Sequence, residues 1–179
     1  MIIGFAGKKR AGKDSSFMSI EKIYKPTLRV AFADALKEEV YKYVLKPNNI
    51  PIEALSDERK KHFRLIMQGW GTEFRRGFID DNYWLNKVKE KLDSLDLDGS
   101  LIVGITDVRF KNEADFIKSM GGFVVRIHRP DTDDYTDMHS SEIDMDDYEH
   151  YDFEIYNDGT LEDLDKKVAF ALEQLQLRD

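Results

Sequence analysis

The sequence predicts an α/β fold: a five-stranded parallel sheet with helices on both faces. Three observations carry that reading. Short apolar runs recur along the 179 residues, helical patterns fill the intervals between them, and the first run leads straight into a glycine-rich loop and a helix. Runs that stay apolar without alternating suit strands buried on both sides, as in parallel sheets.

The elements follow in order. Met1–Ala6 is the first strand and Leu28–Phe32 the second, and Leu101–Ile105, Phe123–Ile127 and Phe153–Tyr156 are the third, fourth and fifth. A helix is expected from Lys13 to about Tyr24. Asp34 reads as the N-cap of another that reaches about Val44, and Pro47 and Pro51 break the chain beyond it. Ser56 or Asp57 opens a helix through Met67, and Asp80 or Asp81 opens one ending near Leu92. Asp98-Gly99 turns the chain into the third strand. Asn112–Met120 forms a helix stopped by Gly121-Gly122, and Thr160-x-x-Asp163 is a capping-box pattern for a last helix to about Leu175.

Length predicts one domain with room for a core. No run of about 18 apolar residues suits a membrane span, and the N-terminal strand shows no signal-peptide pattern. With no cysteine there is neither a disulfide framework nor a thiolate metal site, which fits a reducing cytoplasm. The formal net charge of −8 disfavours a protein that coats nucleic acid, yet local Lys and Arg can still build a positive cleft for a small anion.

Residues Gly7-Lys8-Lys9-Arg10-Ala11-Gly12-Lys13-Asp14 fit the phosphate loop G-x-x-x-x-G-K-[ST] except at the last position, where Asp14 replaces a hydroxyl. Glycines at 7 and 12 let successive N–H groups turn inward, the helix N-terminus adds partial positive charge, and Lys13 adds a full one. Ligands of open parallel sheets sit at the carboxyl ends of the strands. Those ends carry Gly7–Asp14, Asp34–Lys37, Asp107–Arg109, Arg129 and Asn157-Asp158. Asp107, just past a buried strand, suits orientation of magnesium or its waters; the other use of Asp there is to cap a turn. Arg109 has the fork to grip a phosphate. Asp14 is a candidate metal contact in the hydroxyl's place.

Between the second and third strands, Arg64–Arg76 mixes apolar positions with cations, and Arg64, Gln68 and Arg75 suit an acceptor's phosphate and base. Arg76 reads equally well as solvated. Trp70 and Trp84 serve either as base-stacking surfaces or as core. After the fourth strand, His128-Arg129-Pro130 opens a long polar segment to Glu142, a length typical of a lid. Arg126 and Arg129 are candidate cations over phosphates, although Arg126, inside the strand, could equally pair with a buried carboxylate. The four histidines are scattered and make no zinc site.

The loop ending Gly-Lys-Asp, Phe32-Ala33-Asp34-Ala35-Leu36-Lys37, Met67–Glu73, Asp81–Trp84, Thr106–Glu113, Ile127–Pro130, His139–Glu142 and Asn157–Leu161 stand in a familiar order. Across nearly the whole chain this series resembles bacteriophage-type deoxynucleoside monophosphate kinases, and animal phosphomevalonate kinases share much of the layout. The resemblance implies a P-loop nucleoside-monophosphate-kinase fold that transfers the γ-phosphoryl group of ATP, with Mg2+, to a deoxynucleoside monophosphate. It implies one domain with an acceptor-binding helical insertion at about 45–95 and a lid at about 130–142. Gly7, Lys8, Arg10, Ala11, Gly12, Lys13, Asp14 and Ser15 would hold ATP, with Asn157, Asp158 and Gly159 beside its adenine. Lys13, Asp107, Arg109 and Arg129 would be catalytic, with Asp14 and Asp107 on the metal. Asp34, Lys37, Arg64, Gln68, Trp70, Thr72, Arg75, Trp84 and Glu142 would meet the acceptor. A homodimer and a cytoplasmic location, in a host cell if the chain is phage-encoded, complete the expectation. Two other readings stand beside it: a kinase acting on phosphomevalonate or dephospho-coenzyme A, and a nucleotide-gated switch protein. The segment 45–56 has no assigned role.

Overall fold

The computed structural model describes residues 1–51, 57–95, 100–130 and 139–176, with side chains described outside 57–62. Five strands, β1 Ile2–Ala6, β2 Thr27–Val30, β3 Ile102–Val108, β4 Phe123–His128 and β5 Phe153–Tyr156, form one sheet in the order β2-β3-β1-β4-β5. Every pairing is parallel. The strand order reverses around β1, so the loop after it opens at the switch point, flanked by the ends of β3 and β4.

The helices are α1 Lys13–Ile23, α2 Phe32–Val40, α3 Asp57–Gln68, α4 Tyr83–Asp93, α5 Lys111–Ser119, the single-turn α6 Ser140–Ile143 and α7 Leu161–Gln176. Two π-helical stretches, Tyr41–Leu45 and Gly69–Ile79, extend α2 and α3. The chain divides into two compact units: Met1–Val30 with Asp96–Asp179, and Ala31–Leu95. In the first, Ile3, Phe5, Phe17, Ile20, Ile127, Ile155, Leu164, Val168 and Leu172 form the core that α1 and α7 share with the sheet. In the second, Val40, Leu45, Trp84, Leu85, Val88 and Leu92 are buried.

Several boundaries differ from the sequence expectation. The second strand ends at Val30, and α2 starts at once with buried Phe32, so Asp34 lies inside the helix and Ala31 is its N-cap. Asp80 turns the chain ahead of α4, accepting from the N–H of Asn82 at 2.9 Å, but the helix begins only at Tyr83 and its N-cap is Asn82 rather than Asp80 or Asp81. The third strand runs on to Val108, which puts Asp107 within the strand rather than past it. Its pairing explains the extension. Gly4 pairs with Ile105 and Ala6 with Val108, so β3 carries one more residue than β1 over that interval, a bulge around Thr106-Asp107.

Candidate functional site

The loop between β1 and α1 has the backbone of an anion cradle. Gly7 and Gly12 hold φ of 140° and 107°, and Arg10 holds 66°. A Cβ on Gly7 would lie 2.4 Å from the Ile127 carbonyl oxygen, and one on Gly12 would lie 2.6 Å from Asn157 Nδ2. The loop is therefore pressed against β4 on one side and the β5–α7 turn on the other, and only glycine fits.

Lys13 curls back over its own loop. Its Nζ donates to the carbonyls of Gly7 at 2.7 Å and Lys8 at 2.9 Å, and only 8% of the residue is exposed. Burial lowers its pKa to about 8; the positive charge of Arg109 adds to that effect, while Glu142, Asp107 and Asp14 oppose it. Those four charged groups come from the end of β3, the first turn of α1 and α6.

Arg109 is fixed from both ends. Its backbone N–H donates to Glu113 at 2.8 Å, and the same buried carboxylate also takes the N–H of Phe110, closing the first turn of α5. Its guanidinium donates to Glu142 Oε1 at 2.5 Å and to the Ser141 carbonyl at 3.4 Å. Lys8 donates to the Glu142 carbonyl at 2.7 Å and pairs with Asp146. The segment after residue 139 is thus tied to both the loop and Arg109. Glu142, expected beside the acceptor residues, stands with Arg109 in the first unit.

The remaining loop residues divide by environment. Arg10 is exposed, Ala11 is fully buried, and the Ser15 carbonyl accepts from Ser19. The Asp14 side chain is 68% exposed and meets Arg29 Nε at 3.2 Å. Asn157 Nδ2 donates to the Ala11 carbonyl at 2.8 Å, so this residue holds the loop itself. Asp158 pairs with Lys167, and Gly159 lies against Asp163. Arg129 is exposed at the mouth of a cavity of about 220 Å³ reached by Gly7, Lys8 and Arg109. Of the lid at 130–142, residues 131–138 lie outside the described residues, as do 52–56 of the segment 45–56.

The expected acceptor residues belong to the second unit, Glu142 aside. Asp34 and Lys37 face each other at 3.8 Å, and Arg64, Gln68 and Thr72 are half-buried. Arg75 lies over the rings of Trp70, Phe74 and Tyr83. Glu39 organises this group. It accepts from Arg75 Nε at 2.8 Å, Trp70 Nε1 at 3.1 Å and the Tyr83 hydroxyl at 2.5 Å. Burial opposes its ionisation, but the hydrogen bonds from Tyr83, Trp70 and Arg75 outweigh that and hold its pKa below the ordinary carboxylate value. Trp84 is core: it is 4% exposed and donates to the Gly71 carbonyl at 2.9 Å. Arg76 is buried rather than solvated, with Asp81 at 2.8 Å. Glu39 escaped the sequence reading because it stands in a charged Lys-Glu-Glu run with no spacing that links it to residues 70, 75 and 83.

Among the described residues no group of three His, Cys, Asp or Glu side chains suits a metal by itself. Asp14 and Asp107 offer hard oxygen donors near Lys13, the number magnesium needs when substrate phosphates complete its shell. The Thr106 hydroxyl, buried with no partner, adds an unsatisfied polar atom next to Asp107. The residues present therefore fit the ion. No described helix is long and apolar enough to cross a membrane.

A family model described as deoxynucleotide monophosphate kinase matches residues 31–168, more than half of the chain, beginning after the glycine loop. A protein of Acanthamoeba polyphaga mimivirus, provisionally named deoxynucleotide monophosphate kinase, is 41% identical over 71 residues, 40% of this chain. That match spans only 36% of the relative's own length. Dephospho-CoA kinase from Campylobacter jejuni is similar in structure, with a TM-score of 0.54 at 13% identity over 97% of this chain and 96% of its own. Shikimate kinase from Aquifex aeolicus covers 99% of both chains at 18% identity with a TM-score of 0.49. The sheet order, the loop after β1 and the dephospho-CoA kinase likeness give the fold as that of the P-loop kinases.

Proposed function

The chain belongs to the deoxynucleotide monophosphate kinase family, and on that premise we propose that it transfers the γ-phosphoryl group of ATP to a deoxynucleoside monophosphate, giving the diphosphate and ADP. The observation that supports this most is the seat of Lys13. A nearly buried ammonium stands over a loop of inward-turning backbone, with Arg109 beside it and three carboxylates, Glu142, Asp107 and Asp14, near enough to influence its charge.

The roles follow from that geometry. The loop N–H groups and the start of α1 bind the donor's phosphates. Lys13 leaves its two carbonyl partners for a phosphate oxygen, an exchange that favours its charged form. An acceptor phosphate oxygen attacks the γ-phosphorus while the bond to the β-phosphate oxygen breaks, and ADP leaves with that electron pair. A phosphate monoester has its second pKa near 6, so at neutral pH the nucleophile is already ionised and no general base is needed. Lys13, Arg109 and Arg129 neutralise charge on the equatorial oxygens, and alignment supplies the rest. Asp14 and Asp107 would hold Mg2+, which would supply neutralisation of the phosphate charge. Trp70, Arg75 and the residues around them form the acceptor's base side. Both substrates are small molecules; nucleic acid is not a partner, and the enzyme acts in the cytoplasm, as a homodimer.

A coupled ADP-release assay tests the reading, with Mg-ATP and a panel of deoxynucleoside monophosphates, their ribose counterparts, phosphomevalonate and dephospho-coenzyme A. Turnover with one or more deoxynucleotides is expected. Turnover with another acceptor alone, or ADP release indifferent to acceptor, would overturn it.

A further inference from the structure

The cavity beside the glycine loop contains a cation that meets no carboxylate among the described residues. Arg126 sits in the middle of β4, paired in register with Ala6 of β1 and Glu154 of β5. Its neighbours Val125 and Ile127 belong to the core shared with α1 and α7, so by strand alternation Arg126 leaves the other face of the sheet. There it lines the 220 Å³ cavity with Lys8, Arg109 and Arg129.

The carboxylates lining this cavity, and the one beside Arg126 on β5, are engaged elsewhere. Glu142 takes Arg109, Asp146 takes Lys8, and Glu154, the cross-strand neighbour, bonds to His128 Nε2 at 2.5 Å. Among the described residues the Arg126 side chain makes no hydrogen bond and no ion pair. Its guanidinium instead lies on an aromatic face, the guanidinium carbon 5.2 Å from the centre of the Tyr151 ring. That ring is itself held, its hydroxyl donating to the Met145 carbonyl at 3.1 Å and its edge meeting Tyr148. A guanidinium laid on a ring is positioned by its face, while the five N–H donors in its plane stay available. A half-buried arginine with its donors unspent, beside a phosphate loop, is arranged for an anion.

We propose that Arg126 is a substrate-binding residue that grips a phosphate monoester in this cavity, the phosphate of the nucleotide acceptor. The assignment to the acceptor rests on the kinase reading; the phosphate site rests on the cavity alone. The Gly12–Lys13 turn and the Asn157–Gly159 turn do not line this cavity, which touches the loop only through Gly7 and Lys8. An anion there lies beside the loop rather than within it, where a second phosphate has to stand to meet a transferred group.

The test is calorimetric binding to wild type, Arg126→Met and Arg126→Lys of four probes: a deoxynucleoside monophosphate that the wild type turns over, its phosphate-free nucleoside, ADP and ATP. Thermal melts establish that each variant is folded. Losing charge-assisted bonds to one phosphate should weaken monophosphate binding about 10- to 100-fold in Arg126→Met, with the nucleoside unchanged, ADP within about twofold and part of the loss restored in Arg126→Lys. A loss confined to the preference for ATP over ADP would keep the phosphate site and give it to the donor's γ-phosphate. Undiminished binding of both phosphates in a folded Arg126→Met would overturn the proposal. If the wild type turns over no deoxynucleotide, the kinase reading fails instead; inorganic phosphate, titrated with ADP saturating the loop, then replaces the nucleotide probe. Retained phosphate binding in Arg126→Met would sink the site in that case too.

Discussion

Arg109 and Glu142 form an ion pair at 2.5 Å in which the carboxylate is the more buried partner, its side chain 10% exposed against 33%. The pair sets a negative charge close to the two cations, Lys13 and Arg109, that a polyphosphate needs. Glu142→Gln keeps the shape and removes the charge. It should bind ATP several-fold more tightly and turn over about tenfold more slowly, because the freed Arg109 is less well aligned. The thermal cost should be about 1 kcal/mol, since the arginine is a third exposed. Calorimetry and steady-state kinetics check the split; equal losses in both would refute it.

Lys13 gives two expectations. Lys13→Ala should lower kcat by about 10²- to 10³-fold or more with the fold intact, as expected for loss of a charge aimed at the transferring group. The second concerns pH. Burial sets the pKa of Lys13 at about 8 in the free protein, and bound phosphates would raise it. ATP affinity should therefore be level below pH 8 and fall about tenfold per unit above it, with proton uptake on binding. For stability the sign is reversed. The folded pKa lies below the ordinary 10.5, so the charged lysine costs stability below pH 8, and the cost is relieved as pH rises from 8 to 10.5. Lys13→Met should hold or raise the thermal midpoint at pH 7, and its advantage should shrink over that window.

Asp107→Asn should raise the magnesium concentration needed for half-maximal rate, by about tenfold if the carboxylate meets the ion or its waters. An unaltered magnesium titration would leave Asp107 with only a structural role in the β3 bulge.

Asn157→Ala removes the bond to the Ala11 carbonyl and should cost about 1 to 2 kcal/mol. Because it loosens the loop, the KM for ATP should rise more than that for the acceptor. A change in stability alone would make the residue a packing element.

The two tryptophans differ in burial and should differ in spectroscopy. Trp70→Phe should abolish any fluorescence change on adding acceptor, whereas Trp84→Phe should keep that change and lose about 1 kcal/mol through the missing bond to Gly71. The reverse pattern would move the acceptor away from Trp70.

What the sequence made legible was what lies close along the chain. All five strands, the glycine loop and the long α-helices among the described residues were readable, because apolar runs, glycine spacing and caps are local signals, whereas the π-helical stretch Gly69–Ile79 was not. Asp107 and Arg109 stood out near the end of an apolar run, and the structure sets both close to Lys13. The Glu39 hub, Asn157 holding Ala11 and the Arg126–Tyr151 stack were not readable, because each joins residues far apart and depends on how elements pack. Trp84 shows the same limit from the other side: an indole reads alike whether it faces a base or the Gly71 carbonyl. The early start of α2 came from Phe32, whose burial outweighed the capping preference of Asp34.

The extra residue of β3 at Thr106-Asp107 has a consequence for how this gene can change. Side chains on a strand swap faces with every residue counted. Deleting one residue between Ile105 and Val108 would give an uninterrupted register with β1 and leave Val108 opposite Ala6 and Arg109 on its present face, so what the deletion would take away is the extra position itself, at Thr106 or Asp107. Such a shortened chain could fold well and melt late while failing at chemistry. At this point in the protein, length is itself inherited information, and selection for robustness alone would erase it.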